Sequence, residues 1–237
     1  MRKTWDAAAA SDRVEHYVGD PATAESELES LFSRLGGGPR GGVCVEVGCG
    51  FGRISAVLAR RFDRVLALDV SPKMLDLARA AVTATNVEFV LVPGSSLEPV
   101  RDGVADVLVC YLVLQHLPRR EVVAAYLNEF ARVLGPDGQA FVQLPVLMAG
   151  ARAQAWRLIR GLAVPLLATG GTIARRPAYR GYRLTEAELE SDLEVAGLCA
   201  AARAESPTSP YRYAREVFLK LERGGGARLK SGTRRSG

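Results

Sequence analysis

The chain of 237 residues has little of what a metal or redox centre needs. It carries two histidines and four cysteines, and Cys44, Cys49, Cys110 and Cys199 show no C-x-x-C spacing. Structural zinc and dithiol sites are built from such closely spaced pairs. The four therefore read as reduced thiols, with no metal expected. Long hydrophobic runs are also missing. The run Leu162 to Ala168 contains Pro165 and, like every other, falls far short of the about 20 residues that cross a bilayer. Asp6, Asp12 and Arg13 interrupt the start before an apolar run forms, so no secretory leader is expected and the reading is cytoplasmic. Aromatic residues make up only 7%, and no aromatic–basic cluster of the kind that stacks on nucleic-acid bases is visible.

What is present suits a compact domain. Hydrophobic residues make up 48% of the chain, enough to bury a full core. The net charge of +5 is unevenly placed. Residues 223–237 hold five basic residues and no acid, and the remaining basic residues balance the 26 acidic ones. The tail is Gly-rich and reads as a disordered basic extension. A second imbalance lies between Gly138 and Thr185, where arginines occupy positions 152, 157, 160, 175, 176, 180 and 183 with no Asp, Glu or Lys among them.

Periodicity divides the chain. Asp20-Pro21 supplies an N-cap and an N1 proline, and Leu28, Leu31, Phe32 and Leu35 form an apolar stripe at helical spacing. The Gly-rich joint from Gly36 to Gly42 ends this helical cap, residues 1–40, which is expected to lie over the mouth of a site. Strands are expected near 43–47, 64–69, 87–92, 105–111 and 138–144, alternating with helices near 52–61, 72–82 and 119–134. Pro118 suits the first turn of the last helix, and Gly135-Pro136 should stop it. Such alternation implies a parallel sheet covered on both faces. Residues 147–182 interrupt it with a helical, Arg-rich insertion. A helix from Ala149 to Ala168 would put Ala155, Leu158, Ile159, Leu162 and Leu166 on one face, with Arg152, Arg157 and Arg160 opposite. Thr185 then caps a further helix, and strands near 198–204 and 213–221 close the sheet antiparallel.

The chemistry concentrates at one turn. The apolar run from Val43 enters Glu46-Val-Gly-Cys-Gly-Phe-Gly52, and the next, Val65 to Asp69, ends in a carboxylate. Glycines at a strand-to-helix turn let backbone approach a ligand closely, and the acid ending the next strand is placed to accept from ribose hydroxyls. The dinucleotide fingerprint G-x-G-x-x-G puts its third glycine one position later, where this chain has Arg53.

The turn instead resembles motif I of class I S-adenosylmethionine-dependent methyltransferases. The resemblance continues through Asp69-Val-Ser-Pro-Lys-Met-Leu-Asp-Leu-Ala78, similar to the segment after their second strand. Asp106 to Pro118 resembles the fourth strand and its loop, and Arg132 to Gly138 the turn before the fifth. Together these cover residues 43 to 145, in order and with the expected spacing. The resemblance implies a Rossmann-like α/β fold with a seven-stranded sheet, parallel but for one antiparallel strand, in a domain over residues 41–222. It implies S-adenosylmethionine as cofactor and S-adenosylhomocysteine as product. It further implies that Gly48, Gly50 and Gly52 pass beneath the cofactor, and that Asp69 holds the ribose. Val70 and Met74 would flank the adenine, Met74 having core packing as its other reading. Glu46 would either bind the cofactor's amino group through water or orient the turn. The family often carries an Asp against the adenine amino group where this chain has Ser95, Ser96 and Leu97, so hydroxyls or backbone must substitute there.

Tyr111 should lie near the transferred methyl group. His116 is a base for the acceptor's proton or a histidine bonded to backbone. Gln115-His116 with Gln143 resembles a pairing in related methyltransferases, which makes Gln143 either a substrate contact, beside the candidates Tyr17, His16 and Arg157, or a structurally paired glutamine in an apolar strand. The expected activity is methyl transfer to O or N of a small molecule, with the acid-free arginines suggesting an anionic acceptor. A nucleic-acid methyltransferase, and a methyltransferase-like binding module without turnover, stand as alternatives. No stable nucleic-acid partner is expected, and the chain should be a monomer or homodimer. An amphipathic membrane-surface role for 149–168 is compatible with each reading.

Overall fold

The computed structural model describes residues 1–11, 19–167, 181–207 and 209–224, side chains of 160–167 excepted. Val43–Val47 (β1), Arg64–Asp69 (β2), Val87–Leu91 (β3) and Ala105–Cys110 (β4) are short apolar runs that pair in parallel. Leu134–Leu147 (β5) joins β4 in parallel, and Leu198–Glu205 (β6) and Ala214–Arg223 (β7) follow. The seven strands take the order β3-β2-β1-β4-β5-β7-β6, with β7 antiparallel to both neighbours. This is the sheet expected from the sequence.

Alternation along each strand builds two cores. On one face Val45, Leu66, Leu108 and Val142 meet Val123, Leu127 and Phe130 of helix α5, Arg120–Val133, and Leu189 of α7, Glu186–Val195. On the other, Cys44, Val65, Val107 and Phe141 meet α3, Arg53–Leu58, and Leu75 of α4, Pro72–Ala81. The stripe Leu28, Leu31, Phe32 and Leu35 packs into this second core from α2, Ala24–Arg34, and Leu35 just past its end. Phe32 meets Phe141 edge-on, with ring centroids 4.8 Å apart. Helix α2 is thus part of the layer that covers the sheet. Glu25, Glu27 and Glu29 point from α2 toward Arg60, Arg53 and Arg61 at α3. The cover over the site comes from α1, Arg2–Ala9, which packs on α4; the Oγ of Ser71 donates to Asp6 at 2.6 Å.

Local chemistry sets most boundaries. Asp20 accepts from the Ala22 amide and Pro21 opens a 3-10 turn ahead of α2. Ser71 caps α4 at the Met74 amide, with Pro72 in its first turn. Thr185 and Glu188 form a reciprocal capping box on α7. Two expectations need correction. Pro118 precedes α5, which begins at Arg120. Gly135-Pro136 does not separate α5 from a later strand, because β5 starts at Leu134 and runs through it with an irregular register opposite Ala105–Val107. Gly138 permits this, since a Cβ there would sit 2.6 Å from the Ala105 carbonyl oxygen.

The insertion helix is α6, Ala151–Leu167, and its exposed face is the one that carries Ala155, Leu158 and Ile159. Ala153 is buried, while Ala155 is exposed and Leu158 and Ile159 are 66% and 63% exposed. Arg157 shares the inward face with Ala153. Its Nη1 donates to the Tyr182 hydroxyl at 2.9 Å and to Glu188 at 2.9 Å. The apolar residues do share a face, but the inward side is the one that finds a carboxylate.

Candidate active site

A cavity of about 290 Å³ opens at the carboxyl ends of β1, β2 and β4, where parallel α/β sheets hold ligands. Its floor is the turn after β1. Gly48 and Gly50 line it, with φ of +74° and +56°. Gly52 does not. It caps α3 in the left-handed region at φ +89°, and a Cβ on it would meet Val82 at 2.7 Å. Its work is to let the turn pass close against α4, not to face a ligand. Gly48 meets the loop after β4, where a Cβ would lie 2.4 Å from Val113.

Asp69 ends β2 and lines the cavity. The Gly50 amide donates to its Oδ2 at 2.9 Å and the Ser71 amide to its Oδ1 at 2.8 Å. The Val70 amide also bonds this carboxyl, and of a carboxylate's about four lone-pair sites one is left for a ligand hydroxyl. Burial lifts the carboxyl to about 6 against these backbone bonds. Glu46 lies deeper. Ser55 donates to its Oε2 at 2.5 Å, and burial raises it to about 7 although Ser55 and Arg53 pull the other way. Val70, Met74 and Val92 form an apolar wall. Met74 serves both as wall and as core, being 1% exposed.

Ser95, Ser96 and Leu97 are not among the lining residues. Leu97 is fully buried and its amide donates to Glu129 at 2.6 Å. That stretch serves the fold, and Met1 adds to the apolar lining instead.

Several lining residues were not legible from motifs. Arg53, beside the glycine turn, has a side chain 5% exposed and donates to Glu27 at 2.8 Å. Gly19 gives it room, since a Cβ there would come within 2.8 Å of its Cζ. Trp5 reaches in from α1 and stands edge-on to His116 at 4.9 Å. Phe51 and Tyr126 complete the aromatic lining. The position of Arg53 one residue past Gly52 was the available signal; nothing local predicts Trp5.

Tyr111 and His116 both line the cavity. Burial holds the Tyr111 hydroxyl protonated well above its usual range, with Glu27 and Glu216 adding to the effect. Gln143 is fully buried and lies behind the wall, donating to Tyr211 at 3.3 Å and Glu216 at 3.1 Å. Arg157 is likewise outside the lining, held by Glu188 and Tyr182. Tyr17 and His16, and the arginines at 175, 176 and 180, fall outside the described residues, as does the basic tail from 225 onward. Among the described residues no group of His, Cys, Asp or Glu is placed to hold a metal. No described helix is long and apolar enough to cross a membrane. Burial raises the thiols of Cys44, Cys49 and Cys110, which keeps them unreactive.

Residues 45–142 match the family model described as a methyltransferase domain. Over that stretch, 98 of the 237 residues, the match and the sheet order are those of a class I S-adenosylmethionine-dependent methyltransferase domain. Among curated relatives, a ubiquinone biosynthesis O-methyltransferase of Xanthomonas axonopodis pv. citri is 29% identical over 117 residues, 48% of this chain and 47% of that one. A trans-aconitate 2-methyltransferase of Methylobacterium radiotolerans is 34% identical over 105 residues, 44% of this chain and 38% of that one. The matched stretch thus spans less than half of either relative. In fold, a methyltransferase of Leishmania major superposes with a TM-score of 0.66 at 13% identity, covering 93% of this chain and 80% of that one.

Proposed function

We propose that this chain is a methyltransferase that uses S-adenosylmethionine to methylate an oxygen or nitrogen of a small anionic acceptor. The observation that carries it is the Asp69 carboxylate, joined to the Gly50 amide at 2.9 Å inside the cavity at the sheet's carboxyl end. The lining suits the parts of such a cofactor. Val70, Met74 and Val92 would take a flat base, and Asp69 a ribose diol. Glu46 offers a carboxyl to the amino group of an amino-acid end. When bound, the cofactor supplies an electrophilic methyl group on a sulfonium that leaves as a neutral thioether. The protein's part is then alignment and exclusion of water, which suits a site without a metal ligand set.

The acceptor's anionic character rests on Arg53, which lines the described cavity while Arg157 does not; each is paired with a glutamate, Arg53 with Glu27 and Arg157 with Glu188. Both curated relatives named above are methyltransferases by name, and one is named for a carboxylic acid, trans-aconitate. The test is calorimetric titration with S-adenosylhomocysteine on wild type and Asp69→Ala, followed by labelled methyl transfer to a panel of carboxylic acids and phenols. Micromolar binding to wild type, weakened at least about 100-fold in Asp69→Ala, is expected from the loss of charge-assisted hydrogen bonds worth about 1.5–3 kcal/mol each. An Asp69→Ala protein that binds like wild type would overturn the cofactor assignment. Arg53→Gln is expected to raise KM for the anionic acceptor at least 10-fold; an unchanged KM would remove the anionic part of the reading.

A further inference from the structure

The loop after β4 is held by a chain of hydrogen bonds whose direction is fixed at every link. The Glu216 carboxylate and the Leu112 carbonyl only accept, and the Leu112 amide only donates. The Leu112 amide donates to Gln143 Oε1 at 3.2 Å, and Gln143 Nε2 donates to Glu216 at 3.1 Å. The Gln143 amide therefore has one orientation. Its Nε2 also donates to the Tyr211 hydroxyl at 3.3 Å, so that hydroxyl passes its own proton onward, to Gln115 Oε1. Gln115 Nε2 donates to the Leu112 carbonyl at 3.2 Å and faces His116 Nε2 at 3.0 Å. An amide nitrogen is a donor, so His116 Nε2 must accept.

The main chain is clamped as firmly. Leu112 sits at φ +59°, a conformation costly for a leucine, with both its peptide groups in the network. Arg183 donates to the Gln115 carbonyl at 2.9 Å and lies over the Tyr211 ring at 4.9 Å. Gly181 comes so close that a Cβ on it would strike that same carbonyl oxygen.

We infer that Gln143, Tyr211 and Gln115 are positioning residues that fix His116 as the neutral tautomer with its proton on Nδ1. In that form His116 is not the base that removes an acceptor's proton, because the lone pair on Nε2 is already bonded to Gln115. The exclusion of His116 as the base toward an acceptor rests on the methyl-transfer reading; the tautomer does not.

The test is long-range ¹H–¹⁵N correlation spectroscopy of imidazole-labelled protein at pH 8. The chain has two histidines, so a His16→Asn background leaves His116 alone in the spectrum. Wild-type Gln115 is expected to give a protonated Nδ1 and an unprotonated Nε2. Gln115→Glu, which sets an acceptor opposite the ring, is expected to place a proton on Nε2. A proton on Nε2 in the wild-type loop would overturn the inference, as would an identical tautomer in a folded Gln115→Glu protein. If Gln115→Glu does not fold, the wild-type spectrum decides alone. Failure to bind S-adenosylhomocysteine with the tautomer intact would sink the methyl-transfer reading and leave this one standing.

Discussion

Two buried carboxyls make the empty site sensitive to pH in a direction that can be worked out. Glu46, at about 7 in the folded protein, is ordinarily near 4.5, and Asp69, at about 6, ordinarily near 3.8. Below about pH 3 both are largely neutral whether the chain is folded or not. As pH rises, the unfolded chain loses its protons first, so stability declines between about pH 4 and 7 and is flat above. The Glu46 share is about 3 kcal/mol at most. Urea denaturation of the empty protein from pH 4.5 to 8 should show this fall, and Glu46→Gln should reduce it; an equal slope in the variant would contradict the burial argument. A cofactor that bonds the ionised Asp69 should bind more tightly as pH rises through 6, measurable by the same calorimetric titration. At this scale the sequence was partly legible. Asp69 and Gly50 were found by spacing, because a strand end and a tight turn are local. Gln143 behind the wall, and Ser95 to Leu97 outside it, were not, because a side chain's direction depends on what packs against it. Gly52→Ala should cost about 1–3 kcal/mol of stability by denaturation, since it strains φ +89° and crowds Val82.

Helix α6 shows how far an element can be read in isolation. Period alone says that Ala155, Leu158 and Ile159 share one face and Ala153 and Arg157 another. It does not say which face turns inward. Glu188 and Tyr182, some 25 to 31 positions later, decide that by satisfying the Arg157 guanidinium. Leu158→Gln and Ile159→Gln should therefore change stability by no more than about 0.5 kcal/mol. Arg157→Glu, which sets like charges together, should cost about 1–2 kcal/mol after allowance for partial exposure. Denaturation curves for the three variants decide the orientation, and the reverse ranking would contradict it. Phe32→Ala on α2, by contrast, should cost about 3–5 kcal/mol, as removal of a fully buried ring from the core does.

Over the whole molecule, the site is assembled from distant parts of the chain. The turn after β1 provides the floor and the loop after β4 one wall. The terminal helix α1 adds Trp5, and the C-terminal strands supply Tyr211 and Glu216 behind the wall. A ligand entering the cavity meets Trp5 but not Trp156, which lies beside Tyr213 on the outside of the lining. With two tryptophans in the chain, Trp156→Phe leaves Trp5 as a single reporter. Its emission should change on titration with S-adenosylhomocysteine, whereas Trp5→Phe should give a silent titration. A response from Trp156 alone would place the ligand elsewhere.

The sequence by itself determined the alternation of strands and helices, the glycine turn and the acid at the end of β2. Each follows from forces that act over a few residues: apolar periodicity, positive φ at glycine, capping and turn chemistry. Only the tertiary structure decided which side of α6 is buried, that α2 joins the core while α1 covers the cavity, and that Gln115 faces His116 with a donor. Those outcomes depend on burial and on the pairing of polar groups far apart in the chain. A buried polar group takes whichever partner the fold brings within reach, and local sequence carries no record of that partner.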